Sequence, residues 1–562
     1  MRSREPSTAR RTGPAMVAAL ALLAAALGAV GLVRAGDGLR HRSAVVDAVP
    51  VTEVRAGTGT GPRPGVVVAH GFAGSGRLMT PIADTLARRG YVVLLLDFAG
   101  HGRNPAALPG GGGDGDAGAA RLAADLDTAV RYLRSRPGVD PGRIGLVGHS
   151  MGAGAVTAYA VAHPDIRATV ALSLPDAGGL PTGTDRPRSL LLLYGGLEFA
   201  GFRQAADEAV RRAGTTADRR AVVVPGVEHI SILFAARAHA ETVSWLDTAL
   251  TPPPVAGDRT ARPLGYLLPA GLLLLGFLLL FHPLTLALLG RRPHRTDTAE
   301  RSGPAAARGA TERVDGAERA DRAYRGRVPA PALVGNPDVV GLPGADFWRA
   351  LARRWRGPVA LCVAGAAALL GVMLARLLPF DRLPLAVGGY VAGFLTVTGL
   401  LLATAARLLH GRPAPHTDRS RRRPVRPAFA GVLLTGYAAA AVAVPLSLGF
   451  IRAVPTGARW WLLPLVVAAC WLFMLGVELL TGGGPLRAVP YAVAVLMLAV
   501  AALAGVAPGF VLLVVPLFGG LLAWQFGWAL VLDRLAAPAW LVALVGAVLL
   551  GWPIATTLPL TG

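Results

Sequence analysis

Gly148-His149-Ser150-Met151-Gly152 directly follows the apolar run Ile144-Gly145-Leu146-Val147. This is the spacing of a nucleophile elbow, in which a buried strand ends, the backbone turns sharply and a helix begins with the serine hydroxyl at the tip. Side chains at Gly148 and Gly152 would collide with the neighbouring strand and helix in so tight a turn. A serine hydroxyl is a poor nucleophile at neutral pH, so the chemistry also needs a base, a group that orients the base, and donors for the developing oxyanion. Upstream, the strand-like Gly65-Val66-Val67-Val68-Ala69 runs into His70-Gly71-Phe72-Ala73-Gly74-Ser75, which brings the amide of Phe72 towards that of Met151. Downstream, Ser189 to Tyr194 leads into Gly195-Gly196-Leu197-Glu198, and Ala221 to Val224 leads into Pro225-Gly226-Val227-Glu228-His229. His229 is expected to take the proton of Ser150 and return it to the leaving group, with Glu198 holding the imidazole in the useful tautomer. Asp176 and Asp207 are the competing carboxylates. His70, Gly71 and His149, beside the two amides, are expected to line the substrate. The reaction expected is acyl transfer through a Ser150 acyl-enzyme, normally to water, and it requires no metal or other cofactor.

The strand Tyr91 to Leu96 is followed by Asp97-Phe98-Ala99-Gly100-His101-Gly102-Arg103-Asn104. Together with the His-Gly loop, the elbow and the terminal histidine, and with the chain order Ser150, Glu198, His229, this segment resembles the α/β-hydrolase superfamily. The likeness is to lysophospholipase-like and dienelactone-hydrolase-like members and covers roughly residues 45 to 250. It implies an α/β fold with a mostly parallel sheet, and serine esterase or lipase-like activity. Two residues depart from the family's usual choices. The acid is Glu198 where Asp is commoner, and the nucleophile is serine where dienelactone hydrolases proper use cysteine.

Apolar residues at helical spacing over Thr80 to Arg89, Ala119 to Arg136, Met151 to His163, Phe202 to Ala213 and Ile230 to Leu250 complete a βαβ pattern. Too few residues lie between Leu174 and Arg188 for a large lid, so the site is expected to be open. The tract Gly110 to Asp116 reads as a flexible loop on the same edge of the sheet.

Membrane surrounds this domain in the sequence. Hydrophobic residues make up 53% of 562 and the mean hydropathy is +0.49, beyond the range of ordinary soluble chains. Ala15 to Val33 is uncharged and would form a helix of roughly 29 Å, about the hydrocarbon thickness of a bilayer. A cleaved signal peptide is the rival reading, but its apolar region is usually shorter, about 7 to 15 residues. Further spans are expected over Leu264 to Leu289, Pro358 to Leu378, Leu383 to Leu409, Ala428 to Ile451, Trp460 to Leu480, Ala488 to Val506, Gly509 to Leu532 and Pro538 to Leu558. The organisation expected is therefore a cytoplasmic N-terminus (1–14), an anchor (15–34), an extracytoplasmic hydrolase domain (35–257) and a span (264–289). A disordered cytoplasmic linker (290–357) and an all-α membrane domain of about seven further spans (358–558) follow.

Orientation rests on arginine, since the chain has no lysine. Arg10-Arg11, the stretch from Arg291 to Arg356, and Arg419 to Arg426 fall on one side of the expected spans, which the positive-inside rule makes the cytoplasm. The net charge of +22 is then a matter of topology and anionic headgroups. No basic-aromatic module suggests nucleic-acid binding. Cys362 and Cys470 both fall inside expected spans, which leaves the hydrolase segment without a disulfide. The connection Thr251 to Pro263 reaches at most about 45 Å, so the active site stays near the bilayer and ester or lipid substrates are expected. An acyltransferase with the same serine intermediate, or a transporter or scaffold with a non-catalytic outer domain, are the other classes considered.

Overall fold

Short apolar runs, each too brief for a helix and bounded by turn residues, form a mixed eight-stranded sheet in the computed structural model. The structure describes residues 9–57, 61–110, 115–214, 218–250, 264–289, 345–410 and 427–562. The strands are β1 (Leu39–Val46), β2 (Val49–Ala56), β3 (Arg63–Ala69), β4 (Val92–Leu96), β5 (Val139–His149), β6 (Ala168–Leu172), β7 (Ser189–Gly195) and β8 (Asp218–Val224). Their spatial order is β1-β2-β4-β3-β5-β6-β7-β8. β2 runs antiparallel to β1 and β4, and every pairing from β4 to β8 is parallel.

Helix α1 (Ala9–Ala35) precedes the sheet. The sheet's helices are α2 (Thr80–Arg89), α3 (Asp116–Arg134), α4 (Met151–Ala162), α5 (Ala200–Arg211) and α6 (Ala236–Leu250). Alternate residues of each strand point to opposite faces. Val66 and Val68 therefore pack with Ile82 and Leu86 of α2 and Leu246 of α6. Val67 and Leu146 pack on the other face with Leu126 and Leu133 of α3 and Val156 of α4. Two features differ from the sequence reading. The β1–β2 hairpin was not expected; its turn places Asp47 and Ala48 at φ 45° and 67°, the left-handed region usually filled by Asn-Gly. The last helix is also broken, with a 3-10 turn at Ser231–Phe234 ahead of α6.

The remaining helices are α7 (Leu264–Leu289), α8 (Ala345–Leu377), α9 (Gly388–His410), α10 (Pro427–Gly449), α11 (Arg459–Thr481), α12 (Ala488–Leu503), α13 (Val511–Arg534) and α14 (Ala539–Thr557). Among the described residues nine helices, α1 and α7 to α14, are long and apolar enough to cross a membrane. Helix α8 begins at Ala345, inside the stretch 290–357 expected to lack structure. The rest of that linker (290–344), residues 111–114 of the glycine tract, the connection 251–263 and the arginines of 419–426 lie outside the described residues.

Small residues let these helices approach closely. A Cβ at Gly28 of α1 would sit 2.5 Å from the Leu273 amide nitrogen of α7, and one at Gly476 of α11 would sit 2.4 Å from the Gly399 carbonyl oxygen of α9. At one end of the bundle Arg487 is fully buried. It donates to both carboxylate oxygens of Glu478 (2.9 and 2.8 Å) and to Asp533 (2.7 and 3.0 Å), pinning α11 and the start of α12 to the end of α13.

The other end holds the sheet and its helices. Arg88 donates to the Ala35 carbonyl of α1 (2.9 Å), and Tyr266 of α7 donates to Asp84 of α2. Fully buried Arg459, at the start of α11, reaches the Gly100 carbonyl (2.6 Å) and that of Leu558 (3.1 Å). Residues after α14 pair with the same loop: Leu560 donates to Gly100 (2.9 Å), and Leu108 donates back to Leu560 (2.8 Å).

Burial pushes the Asp84 carboxyl up to about 7, against the hydrogen bond from Tyr266 and the charges of Arg88 and Arg77, which act to lower it. A carboxyl with a raised folded-state pKa gives stability that is complete below its ordinary value of 3.8 and is lost as the pH climbs towards about 7. Asp84→Asn is therefore expected to flatten the fall in melting temperature over that interval; an unchanged slope would remove Asp84 from the linkage. Arg487→Met strands two carboxylates at a buried site and is expected to cost about 3–5 kcal/mol, read as a lower melting temperature of the detergent-solubilised chain.

Candidate active site

The strand-to-helix turn after β5 is built by close backbone approach. A Cβ on Gly148 would lie 2.2 Å from the Gly152 carbonyl oxygen, and one on Gly152 would lie 2.5 Å from the His70 carbonyl oxygen. Glycine is required at both positions. Between them Ser150 takes φ 52° and ψ −119°, a conformation that costs a non-glycine residue about 1–3 kcal/mol. It is held by the Ser150 amide donating to Leu172 of β6 (2.9 Å) and by Gly154 donating to the Ser150 carbonyl (3.1 Å). The strain turns the hydroxyl out of the sheet edge at the start of α4.

His229 lies in the connection after β8, and Glu198 in the turn after β7. Their side chains meet, with His229 Nδ1 2.7 Å from Glu198 Oε1 and both nearly buried. A carboxylate only accepts, so Nδ1 carries the proton and Nε2 presents its lone pair. The second carboxylate oxygen accepts from the Gly195 amide (2.7 Å), which fixes the rotamer. The His229 ring lies between those of His149 and Phe202, at 4.8 and 4.6 Å between centroids. His149 Nε2 donates to the His229 carbonyl (2.8 Å), tying the histidine loop to the residue before the serine. Among the described residues no hydrogen bond yet joins Ser150 to His229; in unliganded serine enzymes this bond is often long and tightens with substrate. Neither Asp176 nor Asp207 bonds His229.

The loop after β3 turns at Gly71–Gly74, where Gly74 donates to Gly71 (2.9 Å) and Ala73 has φ 56°. His70 locks this turn. Its Nδ1 donates to the Gly71 carbonyl (2.8 Å), and its Nε2 accepts from the Phe98 amide (3.1 Å). The Phe72 and Met151 amides donate to no other described group.

His70, Gly71 and His149 are buried, and the rings of His70 and His149 bond to the backbone of the site and so position it. Burial, with His229 alongside, lowers the pKa of His149 to about 3, and burial also lowers that of His70, so both rings are neutral supports. The site is less open than expected. No lid forms over residues 175–188, but the Phe72 ring stands 4.2 Å from that of Phe510, just before α13, and 5.8 Å from that of His101.

Other supporting residues were not legible as such. Asp97 accepts from the Gly76 amide (2.7 Å) and from Arg103 (3.0 and 3.1 Å), and Asp125 accepts from the Ala99 amide (2.8 Å). The segment Asp97 to Asn104 is thus a brace beneath the oxyanion loop. Phe202 carried only the signal of an apolar residue in the first turn of a helix. Among the described residues no group of three His, Cys, Asp or Glu could hold a metal ion.

Residues 60–178 match the family model described as serine aminopeptidase, S33, within the hydrolase families. An uncharacterized protein of Mycobacterium tuberculosis (strain H37Rv) is 36% identical over 107 residues, which are 19% of this chain and 35% of that protein. The chain thus spans about a third of the length of the curated relatives it matches. Among solved structures, a dienelactone hydrolase from Anabaena variabilis is 20% identical and is aligned over 38% of this chain and 99% of its own, with a TM-score of 0.30. A CIB-like hydrolase from Thermoplasma acidophilum is 19% identical over 38% and 100%, with a TM-score of 0.32. Residues 39–250 thus form an α/β domain with a mostly parallel sheet, of which 60–178 are similar to the serine aminopeptidase, S33 family, joined in one chain to a helical region with several apolar helices.

Proposed function

We propose that this chain is a membrane-embedded serine hydrolase whose catalytic domain faces outward and cleaves carboxylic esters on lipid or envelope-derived substrates. Ser150 is the nucleophile in this reading, His229 its general base and Glu198 the carboxylate that orients the imidazole. The Phe72 and Met151 amides stabilise the tetrahedral oxyanion. The observation that carries the reading is the His229–Glu198 bond of 2.7 Å, made beside a serine held in a turn that only flanking glycines permit. Attack of Ser150 Oγ on the ester carbonyl passes its proton to His229 Nε2. The alcohol leaves with that proton, and water then hydrolyses the acyl-enzyme by the same relay.

The orientation is supported by arginine placement. The stretches from Arg291 to Arg356 and from Arg419 to Arg426 follow α7 and α9, helices that start at the hydrolase side, so the domain lies opposite the arginine-rich face. The close packing of Gly28 on α7 supports α1 as a retained anchor. Lipid-like substrates are supported by the position of Phe72, whose ring touches Phe510 at the end of the helical bundle.

Wild-type chain is expected to label with a fluorophosphonate probe, and Ser150→Ala and His229→Ala to lose the label; labelling that persists in Ser150→Ala would end the serine reading. Glu198→Gln keeps the shape but misorients the imidazole, and kcat is expected to fall by about 10⁴-fold. Esters of long acyl chains presented in mixed micelles are expected to be cleaved in preference to soluble acetyl esters. Efficient turnover of the acetyl esters alone, with every lipid fraction left intact, would overturn the substrate class.

A further inference from the structure

A cavity of about 270 Å³ opens away from Ser150, where β1, β2 and the turn before α2 meet the end of α10 and its connection to α11. Arg77, Arg103 and Arg452 converge on it, with His41, Ser75 and Ser447 in its wall. Asp97 is the acid in that wall, and its carboxylate is already taken by Arg103 and the Gly76 amide. Arg452 is exposed and makes no hydrogen bond or ion pair with another described residue. Ser75 is 1% exposed, and its hydroxyl has no partner. The chamber therefore combines surplus positive charge with an unused buried hydroxyl, the donor set that holds a phosphate.

A second cavity of about 270 Å³ shares His41, Arg77 and Thr80 with the first and changes character below them. Its wall there is Ala29, Leu32 and Val33 of α1 and Leu448 of α10. These residues lie in the last turns of two candidate spans, Gly13–Ala35 and Phe429–Gly449, at their hydrolase ends. In a bilayer that is the depth at which headgroups give way to hydrocarbon. Asp84 lies in this chamber too, but its raised carboxyl pKa of about 7 leaves it a weak counter to the arginines. His41 registers the positive field: burial, then Arg77 and Arg88, lower its pKa.

We propose that the two cavities together bind an anionic phospholipid, its phosphate held by Arg77, Arg452 and the Ser75 hydroxyl and its upper acyl carbons laid against Leu32, Val33 and Leu448. The site is distinct from the Ser150 centre, so the lipid acts there as a bound component of the protein and not as its substrate. It sits between the hydrolase domain and α1 and α10, the position from which one lipid stabilises the seating of the domain on the bundle.

The inference rests on the bilayer reading but not on the esterase reading, and the two fail separately. A chain released from membranes by alkaline carbonate would remove the bilayer; a chain that fails to label with the serine probe leaves the lipid site untouched. The test is binding of dioleoyl phosphatidylglycerol, dioleoyl phosphatidylcholine and inorganic phosphate to the full chain in dodecyl maltoside, read by thermophoresis and by the melting temperature. Phosphatidylglycerol is expected to bind at least about tenfold more tightly than phosphatidylcholine and to raise the melting temperature. Arg452→Gln is expected to weaken it about tenfold or more, the effect of losing one charge-assisted contact. Because Arg452 has no protein partner to lose, that variant keeps the fold; Arg77→Gln adds a second reading, and Arg237→Gln on α6 controls for charge and is expected to bind as wild type. Equal binding of the two lipids, or an Arg452→Gln chain that binds like wild type, would overturn the proposal. Tight binding of inorganic phosphate with no gain from the lipid would assign the arginines to a soluble phosphate and overturn it as well.

Discussion

The sheet edge that carries Ser150 depends on backbone lying against backbone where β5 becomes α4. The space beside Gly148 is filled by the Gly152 carbonyl, and the space beside Gly152 by the carbonyls of Ala69 and His70. That contact accompanies the positive φ of Ser150 and brings the His70–Phe72 loop next to it. Two distant chain segments are thereby aligned without a single side-chain bond between them, and the surrounding hydrogen bonds of His70, Asp97 and Asp125 serve to keep the approach from relaxing.

A second layer of constraint comes from the helical region. Arg459 is wholly buried yet spends its hydrogen bonds on carbonyls of the Gly100 loop and of Leu558. Leu560 and Leu108 extend the same seam by backbone pairing. The loop so held carries His101, whose ring packs on those of His70 and Phe72. Packing in the helical bundle is therefore connected to the His70–Ser75 loop through a short series of contacts. Where relatives of this fold cover their sites with an inserted lid, this chain sets Phe510 and the ends of its own helices beside the rim.

The sequence made much of this legible because its strongest signals are local. Glycines around a serine at a strand end, apolar runs of strand length and uncharged stretches of span length each follow from short-range sterics or hydropathy. The pairing of Glu198 with His229 could be narrowed but not decided, since Asp176 follows β6 and Asp207 lies further into α5, and only the tertiary path of β7 and β8 separates them from Glu198. The β1–β2 hairpin was missed because Asp47-Ala48 lacks the glycine that marks such a turn. The bonds of His70 and His149 to backbone had no signal, because proximity in sequence to Ser150 does not reveal on which side of the backbone a ring packs. Arg459, Phe510 and the Leu560 pairing had no signal at all, being contacts between segments more than 350 residues apart.

Ties from α1, α7 and α11 hold the hydrolase domain in one attitude above the bundle. A domain so fixed does not tumble to meet its reactant. For a substrate confined to the same leaflet, encounter becomes a search in two dimensions, and turnover scales with molecules per unit of surface. Dilution of the surrounding medium would leave such an enzyme's rate unchanged, whereas enlarging the lipid sheet around it would slow it.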